Sequence, residues 1–308
     1  MRRLAPWMIA AAGVLWGLLG IFVRHLNARG LASMDLVFLR SLTATVVLFI
    51  GLLIFDRKKM KIRLRDFWCF LGTGIGSIVF FNYCYFTAVR MMSLAAAAVL
   101  LYTAPAFVML MSAVLFREKM TGRRVLSVLL TFAGCACVTG LAGSGISAGG
   151  ILVGLGAGFG YALYTIFGHY AIERGYDSLT ITFYTFLVAA VTSLFMVRLP
   201  HVAGALFGSA PHVAGAMSGS AVALGYVLCL GIISTILPFL LYTLGLHFLQ
   251  GGRASVIASI EPVTAALVGI FCYHEALTVQ TAAGIALVLA GIAAGAEKDE
   301  KRSAPAEA

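Results

Sequence analysis

This sequence is short of charged residues. Asp, Glu, Lys and Arg make up 11% of its 308 residues, whereas about 25% is usual in a soluble domain. Hydrophobic residues make up 61%, and the mean hydropathy is +0.99. So few charges cannot cover the surface of a soluble fold of this length. The composition therefore excludes an ordinary soluble domain and predicts an integral membrane protein.

The six cysteines lack the spacing of a zinc site. Cys135 and Cys137 form the one close pair, and residues two apart on a helix point to different faces. The glycine-rich stretches lie inside apolar segments, where they favour close helix packing over phosphate binding. We therefore expect no metal, no other cofactor and no nucleotide as a direct energy source.

Long apolar runs dominate the chain, and about 20 apolar residues are needed to cross a bilayer as a helix. We predict an all-α integral membrane protein. Lipid offers backbone N–H and C=O groups no hydrogen-bond partner, and a helix pairs these groups within its own segment. The ten predicted spans are Pro6–Val23, Met34–Phe55, Phe67–Val89, Ser93–Phe116, Val125–Leu141, Gly150–Tyr170, Leu179–Val197, Ala221–Phe248, Ala254–Tyr273 and Val279–Ala296.

The basic residues are distributed unevenly between the predicted loops. With the N-terminus on the inner side, 17 of the 22 Lys and Arg lie on that side and four on the other. Positive loops stay in the cytoplasm. We therefore predict a multi-pass protein of the plasma (inner) membrane with both termini cytoplasmic. The net charge of +10 is a topology signal, and we expect no nucleic-acid partner.

A pattern in the first half of the chain recurs 157 residues later. Proline, glutamate, threonine and glycine recur together with apolar residues, which favours a duplicated unit. The recurring pairs are Pro105 with Pro262, Glu118 with Glu275, Thr121 with Thr278 and Gly134 with Gly291.

Two units follow from this duplication, residues 1–141 and 142–296, with a disordered cytoplasmic tail at 297–308. Each unit holds five predicted spans. Because five is odd, the second unit enters the membrane from the opposite side. The sequence therefore predicts two inverted five-helix repeats, a common plan of secondary transporters.

Three polar side chains are predicted at membrane depth, namely Arg40, Asn82 and Glu261. Polar groups at this depth are costly, about 2.5–3.5 kcal/mol on insertion scales where the group is charged, so each is a candidate for substrate binding. Arg40 has an alternative, which is to extend to the outer interface. Glu261 has another, which is to satisfy backbone groups beside Pro262. A carboxylate at this depth either binds a proton or pairs with a cation.

Three aromatic residues, Trp16, Tyr102 and Tyr161, lie deeper in their spans than interface residues do. We expect them to line the substrate cavity with the polar residues, since such cavities are mostly apolar and aromatic.

The recurring prolines and glutamates have predicted structural roles. Pro105 and Pro262 each remove a backbone hydrogen bond and break or kink their helices. Glu118 and Glu275 mark equivalent helix ends, and Thr121 and Thr278 are candidate N-caps of the next helices.

The order of these features resembles the EamA group of the drug/metabolite transporter superfamily. The resemblance spans residues 5 to 296, and its features are Trp16-Gly17, Asp35 with Arg40, Pro105 with Glu118, and Glu261-Pro262 with Glu275. It implies a secondary transporter, with export of small organic metabolites such as amino acids through a central cavity.

The expected partners are a small-molecule substrate, the lipid bilayer and a coupling proton, with the protein a monomer or homodimer. Two alternatives remain open: a membrane-embedded enzyme acting on a lipid-linked substrate, and a small-molecule sensor that does not transport.

Overall fold

The computed structural model describes residues 2–139, 147–208 and 219–295. Every regular element within these residues is helical. The predicted tail at 297–308 and most of the link between the two units lie outside the described residues.

The first half of the chain forms eight α-helices, with a π-helical stretch at Gly72–Val79 between the fourth and the fifth. They are α1 Ala5–Gly17, α2 Leu19–Asn27, α3 Ser33–Phe55, α4 Phe67–Leu71, α5 Phe80–Met91, α6 Leu94–Leu101, α7 Ala104–Leu115 and α8 Gly122–Thr139.

The described part of the second half forms eight more α-helices, with a π-helical stretch at Ile232–Ile236. They are α9 Ala148–Glu173, α10 Ser178–Leu194, α11 Leu199–Phe207, α12 Ser220–Gly231, α13 Leu237–Leu246, α14 Gly251–Ala258, α15 Glu261–Tyr273 and α16 Val279–Gly295.

Eight helical stretches in the described residues are long and apolar enough to cross a membrane, with mean hydropathies of 1.3 to 2.3. The pair α10 and α11 bends by 103° at its break and would make a ninth as one span. Helix α16 is apolar but has only 17 residues. A multi-pass, all-helical membrane protein is therefore confirmed, while the count of ten stays a prediction.

Two predicted spans are each divided into two helices. The helix α6 ends before Tyr102-Thr103, and α14 ends before Ser259-Ile260. A proline stands in the first turn of the helix that follows each break, where its missing N–H is tolerated although it cannot continue the preceding helix. The prolines therefore begin new helices and do not kink continuous ones.

Helix bounds in the two halves repeat at a fixed distance. The helices α14, α15 and α16 begin 157 residues after α6, α7 and α8. The π-helical stretches end at Val79 and Ile236, which are also 157 residues apart. The sequence offset is therefore present in the local structure.

Helices α8 and α16 pack along each other through small residues. A Cβ on Gly134 would lie 2.6 Å from the backbone nitrogen of Val288, and one on Gly284 would lie 2.6 Å from that of Val138. Glycines thus permit close backbone contact. Since the partner number falls as the residue number rises, the two helices run antiparallel.

The two predicted units interleave. Helix α1 packs against α13, α14 and α15, whereas α9 packs against α5, α6 and α7. Helix α3 packs against both α10 and α12. The first helix of each unit therefore contacts the broken helix of the other unit, and the central space is bounded by both.

The helices of the described residues end at two opposite faces of the molecule. Each face is named here after an arginine that forms ion pairs or hydrogen bonds there. On the Arg174 face, Arg174 pairs with Asp66 at 3.2 Å, and Glu118 accepts a hydrogen bond from the backbone of Gly251. This face holds the connections at 56–66, 116–121, 174–177 and 247–250. On the Arg29 face, Arg29 donates to carbonyls at the end of α11, and the connections are 28–32, 92–93, 195–198 and 274–278.

Candidate functional site

A cavity of about 510 Å³ lies between the interleaved helices. Residues from both halves of the chain line it, and aromatic and aliphatic side chains make up most of its wall. All six residues that the sequence indicated for substrate binding line this one cavity: Trp16, Arg40, Asn82, Tyr102, Tyr161 and Glu261. Such apolar walls with a few convergent polar groups are typical of small-molecule sites.

Glu261 is the first residue of α15, directly after the helix break. A carboxylate at this position faces the positive end of the helix dipole and its unpaired N–H groups. The hydroxyl of Tyr161 donates to Glu261 Oε2 at 3.0 Å. The N-terminus of α15 and a tyrosine of α9, which belongs to the same half of the chain, thus hold the carboxylate at the cavity wall.

Arg40 lies in the first half of α3 and is only 7% exposed. Its guanidinium Nε has no hydrogen-bond partner among the described residues. The side chain therefore lies inside the protein. The alternative required it to extend to the outer interface, and it does not. Burying a guanidinium nitrogen without a hydrogen-bond partner costs free energy unless an anionic group binds it.

Asn82 lies on α5, and its side-chain nitrogen donates to the carbonyl of Ile78 at 2.7 Å. This bond leaves the amide oxygen as an acceptor at the cavity wall. Residues at helical spacing on the same face, Tyr85, Phe86 and Val89, also line the cavity. The sequence prediction missed these three, although a face of period 3.6 running from Asn82 contains them.

The aromatic residues hold one another in place at the bottom of the cavity. The ring of Trp16 packs edge-on against Phe239 at 5.1 Å and Tyr161 at 6.3 Å between centroids. Tyr102 lies at the end of α6, beside the break. These contacts bury Trp16 to 8% exposure and orient its indole toward the cavity.

The cavity extends toward one end of the molecule. Its wall includes Asn27, Ser33, Val89 and Leu94, which lie at helix ends on the Arg29 face. A second pocket of about 350 Å³ adjoins it there and shares Ser33 and Phe86. Toward the Arg174 face, the lining ends at buried residues of α9 and α13.

Glu118 and Glu275 lie outside this cavity, at equivalent helix ends. The residues before them, Arg117 and His274, have φ of 54° and 55°, the left-handed conformation that ends many helices. The Glu118 backbone N–H donates to Ser112 O at 3.3 Å, and the Glu275 N–H donates to Gly269 O at 3.1 Å. The two helix ends therefore close in the same way.

The two predicted N-cap bonds are present. The hydroxyl of Thr121 accepts from the Arg124 backbone N–H at 3.4 Å, at the start of α8. The hydroxyl of Thr278 accepts from Thr281 N–H at 3.1 Å, at the start of α16. The described residues contain no group of three or more His, Cys, Asp or Glu that could hold a metal ion.

The cavity, the broken helices and the spans define a multi-pass membrane protein with a central cavity. The profile of the EamA-like transporter family matches residues 3–140 and again residues 148–294. The chain therefore belongs to the EamA-like transporter family.

Relatives of similar length are also named as transporters. An uncharacterized transporter of Archaeoglobus fulgidus is 29% identical over 288 residues, which cover 92% of this chain and 93% of that protein. The uncharacterized transporter YxxF of Bacillus subtilis is 29% identical over 287 residues, covering 91% and 85%. These names point to transport and not to enzymatic activity.

A solved crystal structure has the same fold. It aligns with 96% of this chain and 97% of its own with a TM-score of 0.78, at 20% sequence identity.

Proposed function

We propose that this protein is a secondary transporter that exports small organic metabolites such as amino acids by alternating access. The substrate binds in the central cavity, in contact with Arg40 and Glu261, and the aromatic wall holds its apolar part. The cavity opens to one side of the membrane at a time.

The carrying observation is that one cavity holds two side chains of opposite charge. Arg40 and Glu261 line the same space, and the Arg40 Nε has no partner among the described residues. A carboxylate on the substrate would pair with the guanidinium group, and a substrate ammonium would pair with Glu261. A zwitterion satisfies both groups at once.

A proton is the alternative partner of Glu261. A carboxyl group facing a low-dielectric cavity is neutralised either by a cation or by protonation. If a proton binds there in one state and leaves in the other, its gradient drives the transport cycle. We include proton coupling in the proposal for this reason.

Alternating access is supported by the arrangement of the helices. The equivalent helices α8 and α16 run antiparallel, as units of opposite orientation require. Repeats with bounds 1–141 and 142–296, ten spans and two cytoplasmic termini complete the proposed topology, which places the Arg174 face in the cytoplasm of a plasma-membrane protein. The cavity would then face outward in this structure.

Flux into proteoliposomes tests the function. Purified protein is reconstituted, and counterflow is measured with a panel of labelled amino acids and related metabolites. We expect at least one zwitterionic compound to exchange, and Arg40→Gln to lower its flux at least tenfold. Arg65→Gln, at an exposed arginine on the Arg174 face, is the control and should keep full flux. Binding without flux for every compound would favour the sensor alternative.

Reporter fusions test the topology. A reporter active only outside the cytoplasm should work at Ser144 and near Gly208 and should fail after Ala308. The reverse pattern would contradict both the orientation and the inverted repeats.

The enzyme alternative requires paired acids or a His–acid set at one place. Glu118 and Glu275 lie on opposite faces, and Glu261 is the acid in the wall of the described cavity. The arrangement therefore supports binding of a molecule better than acid–base chemistry on it.

A further inference from the structure

Two crossed hydrogen bonds join α9 to α13. Each helix carries the dipeptide Tyr-Thr, as Tyr164-Thr165 and as Tyr242-Thr243. The hydroxyl of Tyr164 bonds that of Thr243 at 2.8 Å, and the hydroxyl of Thr165 bonds that of Tyr242 at 2.7 Å. All four side chains are buried. Each tyrosine therefore binds the threonine of the other helix.

These bonds lie where the cavity ends. Tyr164 packs edge-on against Phe239 at 4.8 Å, at the bottom of the cavity. One turn further toward the Arg174 face, a Cβ on Gly168 would lie 3.7 Å from Leu246 Cδ2. The contact between α9 and α13 thus closes the path from the cavity to the Arg174 face.

The repeat assigns to each residue of this closed contact an equivalent residue in the first half of the chain. Leu101 and Ala258, 157 residues apart, end the equivalent helices α6 and α14. The carbonyl oxygen of Ala258 would lie 2.7 Å from a Cβ on Gly13, and that of Leu101 would lie 3.2 Å from a Cβ on Gly158. The glycines match each other structurally, so the first helices of the two units correspond at an offset of 145 residues.

The residues equivalent to this closed contact, found with the two offsets, lie in the wall of the cavity. Subtracting 145 from the numbers of Tyr164, Thr165 and Gly168 gives their counterparts in the first half. Subtracting 157 from those of Tyr242, Thr243 and Leu246 gives three more counterparts. The counterparts are Leu19, Gly20 and Val23 on α2, and Tyr85, Phe86 and Val89 on α5; all six line the cavity.

We propose that the crossed Tyr–Thr bonds are the gate between the cavity and the Arg174 face. In the opposite state this gate separates, and Leu19-Gly20 closes against Tyr85-Phe86 to seal the Arg29 face. The inference rests on the proposed transport function and adds the residues that alternate.

The two gates differ in chemistry. The gate at the Arg174 face makes two buried hydroxyl–hydroxyl bonds, whereas Leu19, Gly20 and Phe86 have no side-chain hydroxyl. Closing the second gate therefore forms no equivalent bonds. The state seen here, with the cavity reaching the Arg29 face, is favoured by the bonds that the other state lacks.

The test measures thiol access within the contact between α9 and α13, on the Arg174 side of the crossed bonds. Gly168→Cys is made in a chain whose six native cysteines are replaced, because a Cβ at Gly168 has ordinary contacts and room. A membrane-impermeant maleimide is applied from the Arg174 face of oriented proteoliposomes. Gly168 is buried against Leu246, so labelling of this cysteine requires α9 and α13 to separate. The labelling rate therefore reports the population of the opposite state.

Removing one hydroxyl should open the gate. We expect Tyr164→Phe or Tyr242→Phe to raise the labelling rate about tenfold, and the double variant to raise it further. Thr165→Val and Thr243→Val remove the other partner of each bond, leave both rings in place and should act in the same direction. Tyr184→Phe is the matched control, because it removes a tyrosine bond to Met60 O on the same face but outside the gate. Its rate should stay within about twofold of the parent.

Unchanged labelling in folded Tyr and Thr variants would overturn the gate. Folding is checked by size-exclusion profile and thermal midpoint, and an equal rise in the Tyr184→Phe control would also overturn it. The labelling assay needs no substrate. If flux is absent but labelling responds, the transport proposal fails and the moving contact stands; if flux is present and labelling does not respond, only the gate fails.

Discussion

The two broken helices of this protein are alike in backbone and different in chemistry. The α6–α7 break and the α14–α15 break occur at equivalent positions, and a proline opens the helix after each. The residue before that proline is Ala104 in the first and Glu261 in the second. The break is thus a property of the fold, whereas the carboxylate belongs to one copy and to the function proposed for it.

Each break is also held by a glycine of the other half. Gly13 and Gly158 let a helix pass against the carbonyls whose helical hydrogen bond the prolines remove. The backbone arrangement therefore depends on proline and glycine in both copies. Variants that remove the carboxylate and variants that fill the glycine contact should separate these two contributions.

The largest effect is expected at Glu261. Glu261→Gln keeps the shape and the capacity to accept a bond from Tyr161, but it cannot carry the charge or exchange a proton. We expect normal assembly with at least a tenfold loss of flux or a lost pH dependence of transport. Glu173→Gln, at an exposed glutamate, is the control. Full flux with an unshifted pH profile would leave Glu261 only the structural role beside Pro262.

The next effect concerns both breaks equally. Gly13→Ala and Gly158→Ala place a Cβ within 2.7 and 2.8 Å of backbone carbonyl oxygens. Such overpacking costs about 1–3 kcal/mol, so each should lower the thermal midpoint of the purified protein. Gly20→Ala and Gly225→Ala add the same methyl group where nothing lies within 4 Å, and their midpoints should not fall. Equal behaviour of the two pairs would show that the contacts are not close.

A smaller effect is expected at the glutamates after the broken helices. Glu118 accepts a bond from Gly251 N–H at 3.1 Å and so links the two halves, whereas Glu275 lies beside Gly269 of the preceding helix and is exposed. Either change to Gln should lower protein yield at least as much as activity per molecule. We expect the larger loss of yield for Glu118→Gln. Unchanged yield and thermal midpoint with abolished transport would make the structural assignment wrong.

The sequence was informative where polarity contrasts with its surroundings. Arg40, Asn82 and Glu261 stand out in apolar spans, and all three line the cavity. The threonines likewise predicted the starts of α8 and α16, because a threonine hydroxyl accepts a bond from an N–H of the first turn. The prolines predicted a break or a kink within each of two continuous spans, whereas the structure begins a new helix at each proline.

The gate residues could not be found in this way. A helix in a membrane is apolar toward lipid and toward the protein, so periodicity does not show which face points inward. Tyr164 and Tyr242 lie among similar aromatic residues, and their partners are known only once α9 and α13 are placed together. The interleaving of the halves was missed for the same reason, since the repeat describes each unit and not which helices exchange partners.

The smallest effect should come from the N-caps of α8 and α16, the helices that follow α7 and α15 along the chain. Thr121→Ala and Thr278→Ala each remove the side-chain acceptor of one N–H in the first turn, which costs about 1 kcal/mol. The Thr278 bond is shorter, 3.1 Å against 3.4 Å, so its loss should lower the thermal midpoint more. Thr281→Ala is a control, because it removes the hydroxyl that bonds Thr278 Oγ1 and leaves the cap acceptor in place. Midpoints that fall equally in Thr281→Ala and Thr278→Ala would show that the hydroxyl pair, and not the cap, stabilises this helix start.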